Sequence, residues 1–333
     1  MSSSPDGLTT PERGGPSPGP PNMSTGSVDA FPGLAPGDGI ELREGYAEVG
    51  DVKLHYVEAG DGPLILLLHG FPEFWFGWRL QIKPLAAAGF RVVAPDMRGY
   101  NLSSKPSGTA PYTAERLADD VRGLVGELGA ESALLVGHDW GGTAAWATAI
   151  NHPEVVERLA ILDAAHPRAL QKGLRNPHQL LRSWYFFYFQ PADLPERHVR
   201  AKNWQFLRNF LRDAHPAFTP EEMDRYVEAW SQPGAATAMI NYYRAAVRPP
   251  KGTKAEVRPI SAPTLAIWGQ ADRYLGPQVR EPDRADVPGL DRVVELPGAS
   301  HWVHHDEPQR VNQLLIDFFA PARSDASHRS STT

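Results

Sequence analysis

Cysteine is missing altogether from the 333 residues. That excludes a disulfide framework, a thiolate nucleophile and a thiolate metal site, and it fits a reducing, cytoplasmic compartment. An excess of positive charge is missing too. Lys and Arg number 33 against 39 Asp and Glu, a net charge of −6, so no basic field stands ready for nucleic acid or an anionic membrane, and neither is expected as a partner. No apolar stretch approaches the ~18 residues of a membrane span, no charged start followed by an apolar core marks a secretory leader, and no internal repeat is visible. Catalysis, if there is any, must come from oxygen and nitrogen groups.

Bulky apolar residues are scarce at both ends. Residues 1–38 carry clusters such as Gly14-Gly15-Pro16-Ser17-Pro18-Gly19-Pro20-Pro21, which cannot bury enough surface to offset the entropy of ordering, so a disordered arm is expected there. The Ser- and Thr-rich stretch 321–333 is expected to be a second loose end. Between them, strand and helix patterns alternate. Tyr46–Val49 and Val52–Val57 alternate in polarity around Gly50-Asp51, a hairpin signal. Leu64–Leu68, Arg91–Ala94, Ala133–Val136, Leu159–Leu162, Thr264–Trp268 and Val293–Leu296 are short, continuously apolar runs, the pattern of parallel strands covered on both faces. Leu117, Val121, Leu124, Val125 and Leu128 recur at helical spacing, as do Val311, Leu314, Leu315, Phe318 and Phe319. The alternation breaks at 166–250, where helical patterns and the run Trp184–Phe189 occur without a convincing strand. The expectation is an α/β core in two parts, 39–165 and 251–320, with a helical cap inserted at 166–250 after the sixth strand.

The stretch Val136–Gly142 organises the rest. A short apolar strand leads into it, and the helix formers Thr143–Ala147 follow, so Asp139 is pinched at a sharp strand-to-helix turn with Gly137 and Gly141 two positions to either side. This is the spacing of a nucleophile elbow. The position usually holds serine; a carboxylate there changes the chemistry. A carboxylate is ionised at neutral pH without help from a base. Attack on an acyl carbon would give a high-energy anhydride, whereas attack on an sp3 carbon of an epoxide or alkyl halide gives an ordinary ester that water can cleave. An aspartate at this place would also serve as a plain helix cap.

Ligand sites of such sheets lie at the carboxyl ends of the strands. Three further loops arrive there. His69-Gly70-Phe71-Pro72 follows the strand Leu64–Leu68 and could aim the Phe71 N–H inward beside that of Trp140, a pair of oxyanion donors. Asp272 follows Thr264–Trp268, and His301 follows Val293–Leu296. The chain order is nucleophile, acid, base. Each has a plainer alternative: Asp272 as a turn cap, His301 as a loop residue, and His304 and His305 as solvated positions near a helix start.

In its motifs, residues 45–319 resemble the soluble, α/β-hydrolase-fold epoxide hydrolases. The motifs are His69-Gly-Phe-Pro72 with Glu73-Phe-Trp75, Arg98-Gly-Tyr100, Gly137-His-Asp-Trp-Gly-Gly142, Asn241-Tyr-Tyr-Arg244, Asp272 and Ser300-His-Trp302. The resemblance implies a mostly parallel sheet with helices on both faces and an inserted helical cap. It implies Asp139 as nucleophile, His301 as base with Asp272 as its partner, Phe71 and Trp140 as oxyanion donors, and two cap tyrosines as acids, with His69, Pro72, Trp75 and Trp302 beside the substrate. One acid falls at Tyr243. The aromatic segment ending in Tyr188-Phe-Gln190 places the other at Tyr185, and Tyr188 shares its helical face. Asn101 stands where the family commonly has glycine; asparagine tolerates a left-handed turn.

The tyrosines make chemical sense by themselves, because ring opening leaves an alkoxide that needs a proton, and a phenol near pKa 10 is protonated at rest yet far more acidic than an alcohol. The reading implied is detoxifying hydrolysis of a small-molecule epoxide to a vicinal diol, with no metal or cofactor needed and a homodimer left open. Two alternatives compete. A haloalkane dehalogenase would share the Asp/His/Asp set but gain nothing from paired tyrosines, and a degenerate hydrolase acting as a ligand receptor would have a broken catalytic set.

Overall fold

The computed structural model describes residue 34, residues 39–250 and residues 257–330, with backbone alone from 321. An eight-stranded sheet in the order β1-β2-β4-β3-β5-β6-β7-β8 forms its middle. The strands are β1 (Leu42–Val49), β2 (Val52–Ala59), β3 (Leu64–Leu68), β4 (Arg91–Pro95), β5 (Ala133–His138), β6 (Val156–Leu162), β7 (Thr264–Gly269) and β8 (Leu290–Leu296). β1 and β2 form the expected hairpin, with Val49 opposite Val52 and Gly50 at a φ of 56°, the left-handed conformation that a two-residue turn requires. β2 pairs antiparallel with β4, and the remaining pairs are parallel.

The strand order determines where the helices go. From β3 the chain passes through α1 (Arg79–Ala87) to β4 on one side, then through α2 (Ala114–Glu127) to β5 on the other. Parallel crossovers are right-handed, so a reversal of direction puts α1 and α2 on opposite faces. With α3 (Trp140–Asn151) packed on α2 and α11 (Pro308–Ser330) on α1, both faces are covered. Hence β3, β5 and β7 are buried along their whole length. β8 departs from the expectation. It is the edge strand, so Val293 and Val294 are only half-buried.

Among the described residues, six helices are inserted between β6 and β7: α4 (Pro167–Gly173), α5 (Pro177–Arg182), α6 (Trp184–Tyr188), α7 (Leu194–Leu211), α8 (Pro220–Trp230) and α9 (Ala235–Val247). α8 starts with a capping box, the Glu222 N–H donating to Thr219 Oγ1 at 3.2 Å and the Thr219 N–H to Glu222 Oε2 at 2.9 Å. α9 is apolar nearly all round because it packs against α6, α7 and α8. α7 is broken by non-helical backbone at Ala201–Trp204. The short α10 (Val303–Asp306) precedes α11.

Two expectations at the ends need correction. Leu34 lies inside the stretch expected to make no core contact, yet it is fully buried; the rest of 1–38 is outside the described residues. The last helix continues to Ser330 where a loose tail was expected, since Ala320, Ala322, Arg323 and Ala326 are good helix formers.

Candidate active site

The last residues of β5 feed Asp139 into α3 with φ 49° and ψ −116°, a backbone strain on the order of 1–3 kcal/mol for a non-glycine residue. The flanking glycines make the turn sterically accessible. A Cβ at Gly141 would sit 2.0 Å from the Leu68 carbonyl oxygen, and one at Gly137 2.4 Å from that of Gly141. Asp139 occupies the N-cap position of α3, but its side chain makes no capping bond. Its Oδ1 instead accepts the Phe71 N–H at 2.8 Å. Trp140 opens α3, so its N–H is one of the donors without a helical partner.

The loops after β3, β7 and β8 meet beside this carboxylate. Asp272 does both things open to it: Oδ1 accepts the N–H groups of Tyr274 (2.6 Å) and Leu275 (3.0 Å), while Oδ2 faces Nδ1 of His301 at 2.9 Å. That bond directs the other ring nitrogen, Nε2, toward Asp139 Oδ2 at 3.6 Å. The gap is longer than a direct hydrogen bond. Burial works to lower the His301 pKa, but Asp272 and Asp139 outweigh it and hold the imidazole well above its usual range. Burial likewise works to raise the Asp139 carboxyl, and the nearby His301 imidazole, with His138 and the Phe71 N–H, brings it below normal. Both shifts favour a carboxylate beside an imidazolium in the resting site.

Asp139 and Trp140 form the floor of a cavity of about 420 Å³, walled by Tyr185 and Phe186 from α6, Leu170 and Leu174 near α4, and Tyr242 and Tyr243 from α9. Tyr243 and Tyr185 are both buried, with ring centroids 5.6 Å apart. Burial, then the charge of Asp139, raises both phenols well above their usual value, so they stay protonated. Tyr188 does not line the cavity; its hydroxyl bonds Nδ1 of His198, and its ring stacks on Phe206. Tyr242 faces the cavity but commits its hydroxyl to the Arg98 carbonyl at 2.7 Å.

Four residues expected beside the substrate are not in the cavity wall, because each is engaged in holding a loop. His69 Nε2 accepts the Met97 N–H at 2.9 Å, leaving Nδ1–H to donate to the Gly70 carbonyl at 3.0 Å. The Pro72 carbonyl accepts the Trp230 indole N–H at 2.6 Å. The Trp75 N–H donates to Asp96 at 3.1 Å. Trp302 donates its indole N–H to the Phe210 carbonyl at 3.0 Å. Asn101 adopts φ 37°, the left-handed turn expected of it, and donates from Nδ2 to Asp96 at 2.8 Å.

His304 and His305 are fully buried, contrary to the solvated positions expected. They surround Glu73, which the motifs include but to which the sequence assigned no role. Its Oε1 accepts the Tyr226 hydroxyl at 2.8 Å and bonds His305 Nε2 at 2.7 Å; its Oε2 faces His304 Nε2 at 3.2 Å and His138 Nδ1 at 3.4 Å. His138 Nε2–H in turn donates to the His301 carbonyl at 2.8 Å. Glu73 thus ties together the Phe71 loop, the elbow, the His301 loop and helix α8. Asp163, which sequence reasoning missed, lies fully buried beside Asp272 and His301. Glu73/His138/His304 and Asp163/Asp272/His301 each bring three potential ligand atoms within 4.8 Å of one another.

Residues 63–308 match the α/β hydrolase fold family. The chain is 43% identical to the AB hydrolase superfamily protein YfhM of Bacillus subtilis, over 84% of this chain and 98% of that protein. It is 37% identical to epoxide hydrolase 3 of Mus musculus, over 80% of this chain and 74% of that protein. Among solved structures it is similar to the Bacillus megaterium epoxide hydrolase crystallised with an inhibitor, with a TM-score of 0.76 and 34% identity over 83% of this chain and 99% of that one.

Proposed function

We propose, for a chain that belongs to the α/β-hydrolase fold family and to the epoxide hydrolases within it, that Asp139 opens an epoxide to a covalent ester which water activated by His301 then cleaves to a vicinal diol. The observation that carries this reading is an ionised carboxylate at a nucleophile elbow, with an imidazole on one side and two protonated phenols across a largely apolar cavity.

Asp139 Oδ2 attacks a ring carbon while Oδ1 stays on the Phe71 N–H, the donor that later stabilises the oxyanion of ester cleavage. The ring C–O bond breaks, and its oxygen takes a proton from Tyr185 or Tyr243. Ester formation also consumes the charge of Asp139. One of the two carboxylates holding the His301 pKa up is then gone, so the imidazolium gives its proton to the tyrosinate and becomes a base. A water in the gap beside Nε2 gives its proton to His301 and its hydroxide to the ester carbonyl. The acyl C–O bond breaks, the diol leaves with an oxygen that began on Asp139, and the proton taken from water leaves His301 as the imidazolium of the resting site.

The test is a mass measurement. With styrene oxide, His301→Gln should accumulate an adduct of protein plus epoxide on the peptide containing Asp139, and Asp139→Asn should form none. A single turnover in isotopically labelled water that puts the label directly into the diol refutes the covalent route. Turnover of haloalkanes but not of epoxides would move the assignment to a dehalogenase.

A further inference from the structure

Asp163 is a buried acid to which the scheme above gives no task. It follows β6, which lies between β5 and β7 in the sheet, so the ends of four consecutive strands present Asp139, Asp163, Asp272 and His301 side by side. Its backbone is at φ 43°, anchored by its N–H to the Ile267 carbonyl at 3.0 Å. Its Oδ1 accepts the Gly269 N–H at 2.8 Å. Its Oδ2 is buried without a hydrogen bond of ordinary geometry, with the Val303 N–H close enough to the carboxyl to work against the rise of its pKa. Carboxylate oxygens of Asp163 and Asp272 and a ring nitrogen of His301 lie within 4.8 Å of one another. A strained, buried carboxyl beside the acid–base pair is a costly arrangement to keep for packing alone.

We propose that Asp163 is a second acid of this site, a positioning residue that takes over the orientation of His301 when Asp272 is neutral or absent. Two ionised carboxylates this close repel each other, and only one charge is needed to balance the imidazolium. Asp272 is the better-solvated anion, since it accepts two backbone N–H groups in addition to the imidazole. Asp163 is therefore the one that holds the proton, and burial followed by the charge of Asp272 raises its carboxyl well above normal. Remove the charge of Asp272 and the repulsion vanishes; Asp163 can then ionise and present Oδ2 to the same imidazole.

The proposal rests on His301 being the base of ester cleavage, so the experiment separates the two half-reactions. Styrene oxide is mixed with Asp272→Ala, Asp163→Asn and the double variant, and the adduct on Asp139 is followed by mass as it forms and decays. Adduct formation does not need the base, so its amplitude counts folded, competent sites. Removing the acid of a triad with no substitute costs about 10⁴-fold. With Asp163 in reserve, Asp272→Ala should slow decay by only about 10–100-fold, Asp163→Asn by less than about 3-fold, and the double variant by roughly a further 100-fold beyond Asp272→Ala, a strong non-additivity. Asp272→Asn, which keeps an acceptor for the Tyr274 and Leu275 N–H groups, is the second background should the alanine variant misfold. Equal decay in Asp272→Ala and the double variant, or an Asp163→Asn effect as large as that of Asp272→Ala, overturns the proposal. If His301→Gln forms no adduct either, the covalent reading of Asp139 fails first and takes this one with it.

Discussion

Glu73→Gln is the substitution that asks most of this structure. The change is nearly isosteric and removes only a charge, but that charge joins four elements. Glu73 Oε1 receives the Tyr226 hydroxyl at 2.8 Å and faces His305 Nε2 at 2.7 Å, and Oε2 faces two more imidazoles. Bonds to a charged, buried acceptor contribute roughly 1.5–3 kcal/mol each, against about 1 kcal/mol for neutral ones. A glutamine carbonyl can keep one donor at the lower value, while its NH2 meets a ring N–H and loses the other. The expected destabilisation is about 2–4 kcal/mol, a large share of the roughly 5–15 kcal/mol that holds a typical protein folded.

Guanidinium unfolding reads it as a lower midpoint at unchanged slope. The pH dependence has a definite sign. Burial works to raise the Glu73 carboxyl, but His305, His304 and His138 hold it well below its ordinary value of 4.5. A depressed carboxylate contributes fully above its unfolded pKa and loses its contribution as pH falls through the folded one. The gap between wild type and variant should therefore be complete above about pH 4.5 and close below it. A midpoint shift worth less than about 0.5 kcal/mol, or a gap that widens as the pH drops, would mean that Glu73 is not the ionised hub of these loops.

Tyr243→Phe and Tyr185→Phe should each slow ring opening by about 10–100-fold with little change in KM, and the double variant should be slower than either, since two phenols share one proton delivery; a double variant with unchanged adduct formation would remove the tyrosines from the chemistry. Gly141→Ala puts a Cβ 2.0 Å from a backbone oxygen and should cost more than about 3 kcal/mol, read as insoluble protein or a collapsed unfolding midpoint. Because the ester lacks the Asp139 charge that helps to raise His301, adduct decay should persist to lower pH than the free-enzyme imidazole titration allows; decay that stops at the free-enzyme pKa would show that Asp139 does not set the basicity of His301.

What the chain itself determined is local. The parallel strands announce themselves as continuous apolar runs because both their faces are covered, and the elbow announces itself because only glycine lets β5, Asp139 and α3 approach so closely. Asp272 and His301 follow directly on such runs, so their place at the site was readable one loop at a time. Tertiary structure alone decided what depends on partners far apart in sequence. His304 and His305 look solvated beside a helix start until α8 and the Phe71 loop close over them, and the bonds that bury Glu73 span 153 and 232 residues. His69, Pro72, Trp75 and Trp302 sit in motifs beside the chemistry yet are absent from the cavity wall, since a motif marks a loop and not the surroundings of each side chain. Which of Tyr185 and Tyr188 lines the cavity turned on about 60° around a short helix, a difference that spacing cannot resolve: Tyr185 is in the wall and Tyr188 bonds His198. Asp163 in Leu162-Asp163-Ala164 reads as an ordinary loop residue; only the sheet order, which sets β6 between β5 and β7, brings a second carboxyl to the same imidazole.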